Sequence, residues 1–96
     1  MILDGMFQRL KEIETICREE GQRVKDVRGL RYRPGYRHPQ SIYRDLLPEL
    51  GILKEQYIQK EGGETIGRLE REGFSLSEVD GGRRLALVSS YFRIEF

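Results

Sequence analysis

The chain of 96 residues has no tryptophan and no asparagine, one cysteine, one histidine and three prolines. The lone Cys17 excludes an internal disulfide, and with only His38 to join it the Cys/His set of a tetrahedral zinc site cannot be completed. No apolar run approaches the ~20 residues that span a bilayer. The opening MILDGMF is interrupted by Asp4 and Gly5 and is too short for a signal peptide, so the expected location is cytoplasmic and no membrane partner is expected. Gly62-Gly63 and Gly81-Gly82 lack the lysine-serine or strand-turn-helix setting of phosphate-cradling loops. Histidine is the side-chain type suited to general-base work near neutral pH, yet no nucleophile or fixed carboxylate stands at an interpretable spacing from His38. We therefore expect a non-enzymatic protein with no catalytic residue, no metal and no cofactor.

What is abundant is charge: 34% of residues are charged against 38% hydrophobic, and the net charge is only +1. That near-neutral total hides strong segmentation. Residues 1–20 are net −2, residues 21–44 net +6, residues 45–80 net −5 and residues 81–96 net +2. A coat-like, non-specific nucleic-acid binder is excluded by the total, whereas one dense basic segment still focuses potential on one surface.

The apolar pattern places the elements of a single domain over 1–96. Leu3, Met6, Leu10, Ile13 and Cys17 follow alternating three- and four-residue steps, so residues 2–20 read as an amphipathic helix ending at Gly21. The steps also fit a heptad, which raises a homodimer through residues 3–17, although a helix this short is better stabilised by its own domain. Residues 22–40 form a basic connector: Val24, Val27 and Leu30 suggest a helical turn or irregular strand, and Pro34-Gly35 a turn. Over residues 41–96, Ser41 reads as the N-cap of a helix closed by Gly51, a second helix covers 53–61, and a third runs from Glu64 to Gly73. FSLSEV, DGG and RRLALV then give a hairpin, and Phe92, Ile94 and Phe96 alternate as a third strand. The expected fold is α+β: a long N-terminal helix, short helices and a C-terminal antiparallel β-hairpin or three-stranded sheet, winged-helix-like.

Residues 68–90, RLEREGFSLSEVDGGRRLALVSS, carry Leu69, Glu70, Gly73, Asp80, Arg83, Arg84 and Val88 in an order that resembles the third-helix end and wing of winged-helix regulators of the MarR type. The resemblance implies DNA binding by a dimer, with the helix from Glu64 to Gly73 or its neighbour from Lys54 to Glu61 near the major groove and Arg83 or Arg84 reaching a minor groove or phosphate. Gly81 and Gly82 separate the aspartate from the arginine pair, and the helices ahead of the wing are rich in glutamate, a poor balance against phosphates.

The stretch RGLRYRPGYRHPQSIYR is the other candidate site. Arg28, Arg31, Arg33, Arg37 and Arg44 interleave with Tyr32, Tyr36, Tyr43 and His38, with no acidic residue among them. Guanidinium groups clamp phosphates while rings stack on unpaired bases. Arginine and tyrosine are equally the side chains of protein interfaces, and tyrosines packed on the core with arginines paired to glutamates would make the stretch a solvated connector. The leading expectation is a nucleic-acid partner, DNA or RNA, with a protein partner as the alternative: an adaptor, an assembly subunit or a phage-encoded inhibitor.

Overall fold

The computed structural model describes residues 3–32 and 34–96. The first helix, α1, spans Asp4–Glu19 and buries Met6, Phe7, Leu10, Ile13, Ile16 and Cys17 along the stripe that the sequence spacing marks. It stops in a Schellman motif: the Gln22 N–H donates to the Cys17 carbonyl at 2.9 Å and the Gly21 N–H to that of Arg18 at 3.3 Å, with Gly21 in the left-handed region at φ 61°.

The second helix departs from expectation. Instead of starting at Ser41 and closing at Gly51, α2 runs unbroken over Pro39–Ile58, 20 residues, through both Pro48 and Gly51. His38 is the cap, its Nδ1 accepting from the Gln40 N–H at 3.1 Å, and Pro39 occupies the first helical position, where a missing N–H costs nothing. An interior proline costs about 3 kcal/mol and an interior glycine about 1. Against that, Ile42, Leu46, Leu50 and Leu53 are at most 1% exposed and lie on both sides of Pro48, and each such side chain contributes about 1.5–3 kcal/mol by burial. Packing outweighs propensity, so the three short helices expected are one long and one short. The helix ends with Lys60 in the left-handed region at φ 57°, and α3 follows over Gly63–Arg71. Gly62, at φ 72°, sits so close to Gln56 that a β-carbon there would lie 2.7 Å from the Gln56 Oε1.

The hairpin is as the alternation indicates. Strand β1 (Ser75–Val79) pairs antiparallel with β2 (Arg84–Val88) across Asp80–Gly82, and β2 pairs antiparallel with β3 (Arg93–Glu95), giving the order β1-β2-β3. The tip needs positive φ at Asp80 (54°) and Gly81 (64°), the residue types that reach it most readily. Residues 22–30 show both features expected of them, a 3₁₀ turn over Val27–Gly29 and an isolated bridge from Val24 to Phe92.

The fold is thus α+β, and its apolar core draws on all three helices and on the sheet through Leu87, Phe92 and Ile94. Leu3, Met6, Leu10, Ile13 and Cys17 are at most 5% exposed, so the face from which a homodimer was drawn is used inside the chain, largely against α2. No helix among the described residues is long and apolar enough to cross a membrane.

Candidate functional site

The basic segment is held at its start by its backbone and farther on by one of its cations. Gln22, 8% exposed, donates from Nε2 to the Arg31 carbonyl at 2.5 Å and accepts from the Arg31 N–H at 3.1 Å. Arg31 is fixed at its main chain while its side chain faces solvent. Tyr32 is 41% exposed and meets the His38 ring edge-on, centroids 4.9 Å apart. Because His38 Nδ1 accepts from the Gln40 N–H, Nε2 is the nitrogen left for the proton of a neutral ring.

The tyrosines and arginines then divide. Tyr36 and Tyr43 are partly buried against the core. Arg37 is tied down, its guanidinium donating to Asp45 at 2.6 Å and to Glu12 at 2.9 Å. These bonds raise the Arg37 pKa, the Glu12 contact contributing most, and the Arg37 contact lowers that of Asp45. Arg31 and Arg44 are exposed and form no ion pair with a described residue. Arg33 and the side chain of Arg28 lie outside the described residues.

At the hairpin, Arg84 pairs with Asp80 at 2.6 Å and with Glu95 at 3.2 Å, and Arg93 with Glu95 at 3.0 Å. Arg83 is exposed at the tip, where its carbonyl accepts from Lys54 Nζ at 2.8 Å.

Two clefts join these groups. One, about 570 Å³, is lined by His38, Gln40, Ser41, Tyr43 and Arg44. The other, about 260 Å³, includes Tyr43, Lys25, Arg84 and Arg93 together with Asp26 and Glu95. Tyr43 belongs to both, so the end of the basic segment adjoins the β2–β3 side of the sheet. Tyr36 and Arg37 instead line a third cleft with Phe7, Ile16, Ile42 and Arg68, also about 570 Å³. The sequence reading missed Lys25 and Arg93. Lys25 reaches the site because Val24 donates its N–H to the Tyr91 carbonyl at 2.8 Å, a pairing that no local pattern announces.

Cys17 is buried, and burial, reinforced by Glu14, pushes its thiol up to about 11. It stays protonated at neutral pH and serves as a small apolar side chain.

The Arg37 latch makes a pH prediction. Asp45 has a folded pKa below its ordinary value, so its contribution to stability is present above the unfolded carboxylate pKa of about 3.9 and is lost as pH falls through the folded value. Arg37→Ala should therefore lose less stability than the parent between neutral pH and pH ~3 in urea titrations. Parallel acid profiles of the two proteins would remove the latch.

No family model, characterised protein or solved structure matches the chain.

Proposed function

We propose that the protein is a small non-enzymatic nucleic-acid-binding regulatory protein whose contact face comprises Arg31, Tyr32, His38, Tyr43 and Arg44, extended by Lys25, Arg84 and Arg93. The observation that carries this reading is the position of Tyr43 between the two clefts, which joins the cleft of Arg44 to the one lined by Lys25, Arg84 and Arg93. The amino end of α2 points the same way. It has no acidic residue in its first turn, and the positive end of the helix dipole favours phosphate there. Tyr32, half exposed, offers a ring face for stacking.

Three helices running into a hairpin support a winged-helix-like arrangement. The exposed side of α3 carries Glu64 and Glu70 with Arg71, a balance unsuited to phosphates, so contact is assigned to the α2 end and the β2–β3 side of the sheet. Arg37, which latches α2 to α1 and lines the separate cleft with Phe7 and Arg68, belongs to the scaffold.

A protein-interaction module is the second reading. It is favoured by the outer side of α2, where Leu47, Ile52 and Ile58 are 44%, 40% and 57% exposed.

The test is fluorescence anisotropy with labelled single-stranded RNA, single-stranded DNA and duplex DNA at about 50 mM and about 200 mM salt. Neutralising about three phosphates weakens binding roughly 20- to 40-fold between those conditions. Absence of binding to all three at the lower salt concentration rejects the nucleic-acid reading in favour of the protein-interaction one.

A further inference from the structure

Strand β1 forms an edge of the sheet, and its hydrogen-bonding phase is fixed by the far side of the hairpin. Leu85 and Phe96 exchange both backbone hydrogen bonds, at 2.6 and 2.8 Å. The main-chain groups of Leu85 and Leu87 therefore point at β3, and those of Arg84, Ala86 and Val88 point at β1. With Ser75 opposite Val88, Ser77 opposite Ala86 and Val79 opposite Arg84, the serines and Val79 use their groups on β2. The N–H and C=O groups of Leu76 and Glu78 point away from the sheet. Among the described residues nothing hydrogen-bonds to them.

Side chains at Leu76 and Glu78 share the helix-facing side of the pleat with Leu85 and Leu87. Beside Glu78 opens a cleft of about 590 Å³ with apolar walls from Tyr57, Ile58, Ile66 and Leu85. Two cations lie near it: Lys54 is engaged with the Arg83 carbonyl, and Lys60 is exposed. Glu78 and Glu61, both at the mouth, form no ion pair with a described residue. An inward-pointing carboxylate on an edge strand deters pairing with a like-charged strand. Two copies of β1 paired about Ser77 would set each Glu78 opposite Leu76 and bring the two carboxylates to adjacent positions on one face, which disfavours a second copy.

We propose that the β1 edge and this cleft dock an extended segment of a partner protein that alternates an apolar with a basic inward side chain. The main chain of the segment continues the sheet through Leu76 and Glu78, its apolar side chain enters the cleft, and its lysine or arginine meets Glu78 and Glu61. The site is independent of the cationic face and does not rest on nucleic-acid binding.

Amide hydrogen exchange by NMR decides the matter on the intact protein. The probe is a short capped peptide alternating threonine with valine and lysine, compared with a counterpart carrying glutamate for lysine. At saturation, exchange at Leu76 and Glu78 should slow at least about fivefold, while Ser75, Ser77 and Val79, already bonded to β2, hardly change. The glutamate peptide should bind roughly tenfold more weakly, and Glu78→Lys should reverse that order. Glu78→Gln should abolish the discrimination without reversing it, which keeps the test decisive if the lysine variant folds poorly. Unchanged exchange at Leu76 and Glu78, or equal affinity for the two peptides, overturns the proposal. Protection of the same amides by single-stranded RNA, or by raising the protein concentration alone, also overturns it by assigning the edge to a different occupant.

Discussion

Leu46→Ala is expected to destabilise the protein by about 2–5 kcal/mol, whereas Leu47→Ala, one residue along the same helix, should change stability by less than about 0.5. The two leucines differ only in the direction they face: Leu46 is 0% exposed between α1 and α2, and Leu47 is 44% exposed. Truncating the first forfeits transfer energy and leaves a cavity in a core whose other members, Leu10, Leu50 and Leu53 among them, are already at most 1% exposed. A domain of this size has a total stability on the order of 5–15 kcal/mol, so the loss is a large share of it. Thermal unfolding followed by circular dichroism should show a midpoint lowered by roughly 10–30 °C for Leu46→Ala and nearly unchanged for Leu47→Ala. Equal losses at the two positions would mean that α2 is not a single helix in this register across Pro48.

Reversing Arg31 and Arg44 together to glutamate is expected to weaken binding of single-stranded nucleic acid by about 10- to 100-fold at low salt and to flatten the salt dependence by about 1.4 in log-log slope, the signature of roughly two lost phosphate contacts. Both side chains are exposed and outside any ion pair with the described residues, so the substitutions leave the fold intact. Arg37→Gln is the contrasting variant. Its guanidinium is already bound by Glu12 and Asp45, so the loss of affinity should be small and the slope unchanged. If Arg37→Gln weakens binding as much as the double reversal does, the contact face has been drawn on the wrong side of the basic segment.

How much of this was legible in the sequence depends on the range of the interactions involved. The stripe of α1, the Gly21 stop and the positive-φ hairpin tip are local, and periodicity or turn chemistry marks each of them. The extent of α2 was obscured because Pro48 and Gly51 are local breakers whose cost is offset by Leu50 and Leu53 packing against a distant helix. The stripe Ile42, Leu46, Leu50, Leu53 was the signal that continued through them. At the candidate site, the density of arginine and tyrosine was plain, and its division was not. Glu12 and Asp45 claim Arg37 only once α1 and α2 lie side by side, and Lys25 joins Arg93 only once Val24 has reached the third strand.

The continuity of α2 through its proline has a consequence for how the protein would work. Twenty helical residues form a rod roughly 30 Å long, with Ser41 and Tyr43 at the cationic end and Tyr57 and Ile58 beside the open sheet edge. In a body measuring 40 × 27 × 23 Å, that separates the cleft at Ser41 and Arg44 from the cleft at Tyr57 and Ile58 by most of the length of the helix, while Arg84, next to Leu85, lies nearer the second. A phosphate held at Arg44 and a strand added to β1 would then be separated by the rod between them, so the stiffness of α2 would fix that spacing.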